Sequence, residues 1–406
     1  MSGPMEGIKV VEMGVWVAGP SATAILCDWG ADVVKIEPPT GDPFRGLFAS
    51  ALGVTVPINP PFEIDNRGKR SICLNLENAQ GQALAKRLVD EADVFVTNMR
   101  PRVCEQFGLS YDDVRATNPR IVYCQVTGQG PDSPEANRAS YDIGGFWSRA
   151  GLGASLTPPG GSIPQQRGGM GDHMTGLSAA AAISAALFKR ERSRHGDQAG
   201  EGQRVAASLV RTGVYMMGWD YALEMRLGAK TVPYDRFHAP NPIINCFQTK
   251  DERWIWLLLL QGDRHWPDLL RAVGREDMKD DERWKQIVPR RENAASLVEE
   301  LDAEFAKRTM DEWGPILDAN NVWWAPVNTI SQALQDPVVQ ASGAFTYVDG
   351  PDGAIPMVNT PVDFYGTPNA PRGLPPELGQ HTEELLLEMG HDWDAIIALK
   401  EAGAIP

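Results

Sequence analysis

At 406 residues the chain exceeds the length at which one hydrophobic core keeps growing, so two domains are expected. Its 43% hydrophobic and 22% charged residues suit a folded globular protein, and a net charge of −15 excludes the basic surplus of a nucleic-acid binder. That charge leaves room for a phosphorylated small molecule held by a local group of arginines and lysines. The N-terminal stretch MSGPMEGIKVVEM lacks the features of a signal peptide, and the apolar runs fall short of the roughly 20 residues that cross a bilayer. A cytoplasmic location without membrane contact is the expectation. The five cysteines form no CxxC pair and no His/Cys cluster, so reduced thiols and no metal site are expected.

The chain opens as strand, helix, strand. IKVVEM (residues 8–13) is short and β-branched; AGPSATAILCDWG (18–30) has Pro20 in its first turn and Gly30 as a stop signal, which predicts a helix. ADVVKIEPP (31–39) is a second strand closed by its prolines, and such a βαβ unit implies parallel pairing. KRSICLNL, DVFVTN and RIVYCQVTG read as further strands, with the helix AQGQALAKRLVDEA between the first two. The pattern predicts an α/β doubly wound sheet. The first crossover reads MGVWVAGP rather than GxGxxG, which disfavours a nicotinamide or flavin dinucleotide. Residues 129–171 form a long Gly-, Pro- and Ser-rich loop of the kind that usually serves a function. An alanine-rich helix over 174–190 must pack closely on a neighbour; a turn, a strand near 203–207 and a long helix follow. A second unit begins near Met225, with a strand pair (INCFQTK and RWIWLLLL) and amphipathic helices in HWPDLLRAVG and ENAASLVEELDAEFAKRT. The helix HTEELLLEMG lies near the C-terminus.

Arg45, Lys69, Arg70, Arg100, Arg102 and Arg138 follow turns and strand ends, where an open α/β sheet binds its ligands. They are either an anion-binding group or solvated loop arginines. In RGGMGDHMTGLSAAAAISAAL, Asp172 stands between a glycine-rich loop and the alanine helix. An aspartate there is an ordinary N-cap, or a nucleophile that the helix dipole keeps ionised. The Gly168 to Gly171 backbone, Gly171 included, lets a large ligand approach, and its amides could receive a developing oxyanion. His173 points away from its neighbour on a helix, so a packed or hydrogen-bonded imidazole is expected there. Asp142, after Tyr141, is a second carboxylate that could sit near Asp172. Trp16, Phe146 and Trp147 lie in predicted loops as candidate pocket aromatics. The remaining histidines are scattered without HExxH-like spacing, and there is no GxSxG elbow.

These residues resemble the family III CoA-transferases, a family that also includes alpha-methylacyl-CoA racemases. The resemblance spans nearly the whole chain. Its signposts are GIKVVEMGVWVAGPSATAILCDWGADVVKIEPPTGDPFR, NRGKRSICLNL, VTNMRPRVCEQFGLSYD, GDHMTG, NPIINCFQTKD and LGQHTEELL, in that order. It implies a Rossmann-like large domain built from both chain ends (1–224 and 330–406), a smaller α+β domain (225–329), and an interlocked homodimer. It also implies coenzyme A and acyl-CoA as substrates, a carboxylic acid acceptor, and no permanently bound cofactor. By the resemblance, Asp172 is the nucleophile that passes through mixed anhydrides and an aspartyl-CoA thioester, with Asp142 assisting. CoA contacts map onto Trp16, Val17 and Ala18, onto Lys69 and Arg70, onto Asn98 and Met99, and onto the loop near Arg102. This chain departs from the oxalate enzyme of the family. Val17 stands for a glutamine, Pro38 for a basic residue with Arg45 nearby, Ala139 beside Arg138 for a lysine, and LLLLQGDRHW for a glycine-rich flap. These departures point away from oxalate and formate and toward a larger or more apolar acyl group. FWSRAG resembles relatives that handle branched or aryl-bearing acids. Two alternatives stand beside transfer: racemisation of a 2-methylacyl-CoA, for which Tyr141 replaces the family's histidine, and CoA binding without turnover.

Overall fold

The first three elements are β1 (Lys9–Met13), α1 (Ala18–Asp28) and β2 (Asp32–Glu37), and the computed structural model describes residues 3–193, 200–367 and 369–406. After α2 (Pro60–Asn66) come β3 (Arg70–Cys73), α3 (Ala79–Asp90), β4 (Val94–Thr97) and β5 (Val122–Thr127). Then follow α4 (Met170–Arg192), β6 (Gln203–Ser208), α5 (Leu209–Met216) and α6 (Gly218–Leu227). The six strands form one parallel sheet in the order β3-β2-β1-β4-β5-β6. Val10 pairs with Val33 on one side and Val94 on the other, so the order reverses at β1. In an open parallel sheet that switch point is where a ligand crevice opens, beyond the carboxyl ends of the strands.

Alternation along the strands feeds two cores. Val10, Val33, Val94, Val96, Val122 and Cys124 face α1 and α4; Val11, Val34, Ile36, Phe95 and Tyr123 face the opposite layer with Leu84, Leu385 and Ile396. Covered on both faces, these strands carry the near-continuous apolar runs of a buried parallel sheet. Every residue of α1 is buried, because the sheet covers one side and α4 another. Small residues make this approach possible. A methyl group on Gly176 would lie 2.0 Å from Ser21 Oγ and 3.0 Å from the Ala22 nitrogen.

The chain divides into two compact units. The larger comprises residues 1–154, 165–230 and 343–406; the smaller comprises 155–164 and 231–342. The boundaries thus lie 6 residues beyond 224 and 13 beyond 329, and a short piece of the long loop joins the smaller unit. That unit holds an antiparallel sheet of β7 (Cys246–Gln248), β8 (Trp254–Leu257) and β9 (Trp324–Val327), packed by helices including Gly262–Val273 and Ala294–Phe305. A hairpin of Phe345–Gly350 and Gly353–Val358 belongs to the larger unit. The turn expected after the alanine-rich helix falls at 194–199, outside the described residues.

Candidate active site

The β1–α1 connection passes over the switch point, and buried charges shape it. Lys35 Nζ donates to Glu12 Oε1 (2.6 Å) and to the Gly14 carbonyl (2.9 Å), and ion-pairs with Asp42 Oδ2 at 3.0 Å. Asp42 Oδ1 accepts from the backbone N–H groups of Trp16 (3.0 Å) and Phe44 (2.9 Å). Trp16 has φ +63°, a left-handed conformation that is unfavourable for a bulky residue and here is held by that acceptor. On the other side of the crevice, Asn98 follows β4 and clamps the same loop. Its Oδ1 accepts from Val15 N–H (2.9 Å) and its Nδ2 donates to the Val15 carbonyl (2.6 Å). Burial alone would raise the Glu12 pKa, but Lys35 and Lys69 outweigh it and hold the carboxyl down at about 2.

Against this floor stands the first turn of α4. Gly169, at φ +79°, precedes the helix, which begins at Met170, so Asp172 sits inside the first turn and does not cap it. Of the two readings of Asp172, the N-cap is set aside: the left-handed glycine starts the helix earlier. Asp172, Trp16, Asn98, Thr127, Gly128 and Tyr141 line one cavity of about 110 Å³, and Trp16 meets Tyr141 edge-on at 5.5 Å. Among the described residues no hydrogen bond engages the Asp172 carboxylate; burial first, then the nearby Asp142 charge, push its pKa up to about 7. Asp142 is buried, and its Oδ2 accepts from the Gly171 N–H (3.0 Å). Its Oδ1 is buried without a partner and faces the Gly171 Cα, where a methyl would lie 2.3 Å away. The Gly171 amide is therefore already committed, so the oxyanion role expected of it is not available in this arrangement. Phe146 and Trp147 are buried core residues beneath this turn, packed with Leu209, and do not line the cavity.

The basic residues separate into two groups. Lys69 is buried, and its Nζ donates to Glu12 Oε2 (2.7 Å), the Pro20 carbonyl (2.9 Å), the Asp65 carbonyl (2.6 Å) and Asn66 Oδ1 (3.2 Å). Arg70 pairs with Asp32 and Glu388 at the amino-terminal edge of the sheet, away from the crevice. Arg45 is bidentate to Glu37 and stacks over Phe62. These three cations are spent on internal carboxylates and offer a phosphate little. Arg100 and Arg102 follow β4, and Arg138 lies in the loop after β5; all three are exposed at the carboxyl edge. Arg102 N–H donates to Asn137 Oδ1 (3.1 Å), which brings the two loops together. Val17 and Ala18 begin α1 at the cavity wall, whereas the Met99 side chain packs into the core below. Sequence reasoning missed Asp65, whose Oδ1 lies 3.0 Å from His173 Nε2. It also missed Asp42 and Lys35, which shape the Trp16 turn. No group of three or more potential metal ligands occurs among the described residues, and no helix there is long and apolar enough to cross a membrane.

The model of CoA-transferase family III matches residues 5–382. The chain is 31% identical to (R)-2-hydroxy-4-methylpentanoate CoA-transferase of Clostridioides difficile, over 99% of both chains. It is 29% identical to cinnamoyl-CoA:phenyllactate CoA-transferase of Clostridium sporogenes, over 98% of this chain and 96% of the relative. Its fold is similar to crystal structures of a CaiB/BaiF family protein from Brucella suis (TM-score 0.81, 28% identity, 96% of this chain and 100% of that one) and of Rv3272 from Mycobacterium tuberculosis (TM-score 0.81, 27% identity, 94% and 98%). With the doubly wound sheet, the carboxylate at its switch point and a family match over most of its length, the chain belongs to CoA-transferase family III.

Proposed function

We propose that this CoA-transferase moves CoA from an acyl-CoA to a carboxylic acid with Asp172 as covalent nucleophile. The observation that carries the reading is a partly buried carboxylate with no hydrogen bond among the described residues, opening onto the switch-point cavity from a helix N-terminal turn. An Asp172 oxygen attacks the thioester carbonyl, the C–S bond breaks, and a mixed anhydride and CoA thiolate result. The thiolate then attacks the aspartyl carbonyl and expels the donor acid, leaving an aspartyl-CoA thioester. The acceptor carboxylate attacks that thioester and releases the thiolate, which takes the acceptor acyl group and returns Asp172 as carboxylate. Asp142 steadies the turn through Gly171. Trp16, Val17, Ala18 and Asn98 form the wall for the thioester end, and Arg102 offers exposed charge to the phosphates, with Arg138 nearby on a surface pair with Glu135 that a phosphate could displace. The basic residues Arg45, Lys69 and Arg70 act through the segments they brace.

The aromatic pair Trp16–Tyr141 favours an acid with a branched or aryl side chain, the kind named in the two relatives. The helix α6 buries none of its residues, which supports a homodimer: Trp219 is 89% exposed and Leu223, Met225 and Leu227 lie open beside it, an apolar surface that a second copy would cover. The experiment is exchange of CoA between an acyl-CoA and a labelled branched or aryl acid. Transfer should require the acid and vanish in Asp172→Ala while CoA still binds; turnover of that variant at the wild-type rate overturns the mechanism.

A further inference from the structure

We propose that His173 is a positioning residue for Asp172: pinned by Asp65, its imidazolium supplies the positive charge that the nucleophile's surroundings otherwise lack. The inference rests on Asp172 as nucleophile. His173 Nε2 lies 3.0 Å from Asp65 Oδ1, and the Asp65 side chain is only 2% exposed. Asp65 is itself fixed from behind, because its carbonyl accepts from Lys69 Nζ, which in turn is bound to Glu12 on β1. The other edge of the imidazole covers the glycine loop: a methyl on Gly169 would lie 3.2 Å from His173 Cε1 and 3.3 Å from Nδ1. One side chain thus connects the buried charges under the sheet to the residue that starts the catalytic helix.

The charges around Asp172 make this position matter. Asp142 precedes the buried turn, Asp65 comes from α2, Tyr141 faces the same cavity, and Arg67 and Lys69 stand behind Asp65. Asp142 and Asp65 both oppose ionisation of Asp172. Among the described residues whose charges act on it, His173 is the cation. Burial disfavours the imidazolium, but the hydrogen bond and charge of Asp65 outweigh it, so His173 binds its proton more tightly than an ordinary histidine. The half-exposed ring also borders an apolar cavity of about 270 Å³ lined by Ile25, Ile64, Met174 and Leu177. Low polarity on that side strengthens the pair.

The test is the pH dependence of the first acylation of Asp172 by an acyl-CoA in rapid-quench mass spectrometry. In His173→Gln the acid limb should move up by on the order of one pH unit, so the rate near pH 6.5 falls about tenfold. Near pH 9, where the Asp172 carboxyl is ionised in both proteins, the two rates should converge within about threefold. His173→Arg, a permanent cation, should leave the limb at or below its wild-type position. Equal loss at every pH in the Gln variant, or an unmoved limb, overturns the proposal. A second readout needs no altered residue near the nucleophile: the imidazole of His173 in histidine-labelled wild-type protein should titrate above about pH 6.5, and a midpoint at or below it overturns the proposal. If wild-type Asp172 takes up no acyl group at all, the nucleophile reading fails, while the titration still decides whether Asp65 holds His173 charged.

Discussion

Replacing Gly171 by alanine separates packing from backbone preference at the heart of the site. Gly171 occupies a regular helical position, so helix propensity alone would favour alanine by roughly 1 kcal/mol. The space is not there. The added methyl would lie 2.2 Å from Phe146 Cγ and 2.3 Å from Asp142 Oδ1. Ordinary carbon contacts need about 3.5 Å, so the overlap with the ring is about 1.3 Å. Phe146 is 1% exposed and has nowhere to swing. Overpacking of this kind costs about 1–3 kcal/mol, and moving Asp142 off the Gly171 amide shifts the turn that carries Asp172. A displacement of about 1 Å at a reacting group slows chemistry on the order of 10²-fold. Gly168→Ala is the control, because a methyl there meets nothing within 4 Å. Thermal unfolding and single-turnover acylation on both variants give the result. Gly171→Ala should melt several degrees lower and acylate about 10²-fold more slowly, while Gly168→Ala keeps the wild-type melting temperature. A Gly171→Ala enzyme as stable and fast as wild type, or equal thermal damage from both changes, would refute the reasoning.

Asp172 should also show in the pH dependence of stability. Its pKa is raised from 3.8 to about 7 in the fold, so its favourable contribution is complete below about pH 4 and is lost as pH rises through 7. Asp172→Asn should therefore melt higher than wild type at pH 8, by on the order of 1–3 kcal/mol, with the gap closing toward pH 4; a gap that does not change with pH speaks against it. Lys35→Met strands Asp42 and half of Glu12, which should cost about 3–5 kcal/mol in unfolding and raise the KM for acyl-CoA as the Trp16 turn loosens. Unchanged melting would show that the turn holds without it. If a homodimer forms through α6, Trp219→Glu should halve the molar mass measured by light scattering, and an unaltered mass would rule that surface out as the interface.

Local pattern carried the strand–helix alternation of the larger unit, because parallel strands and crossover helices advertise themselves in apolar periodicity. It did not carry the pairing of β1 with β4, which brings together residues more than 80 positions apart. The hairpin at 345–358 went unread although Gly350, Pro351, Asp352 and Gly353 form a turn signal between its strands. Asp172 stood out because the glycines before it leave room for a large ligand, although an aspartate before an apolar helix is also an ordinary N-cap. The exact start of that helix was hidden, since only the fold shows that Gly169 adopts a left-handed conformation. Lys69 looked like a phosphate ligand because charge is visible in sequence and burial is not. Lys35 passed as a strand residue for the same reason. Asp65 left no signal, because its partner His173 lies 108 residues away and a lone aspartate in a short helix has many ordinary explanations.

Transfer by this route depends on a bond between an Asp172 oxygen and the acyl carbon. Mixing the wild-type enzyme with an acyl-CoA, trapping with hydroxylamine and mapping the peptides by mass spectrometry tests it directly. A hydroxamate should form on Asp172, and only when the thioester is present. Trapping at another residue, or full turnover with Asp172 unmodified at every time point, would contradict it.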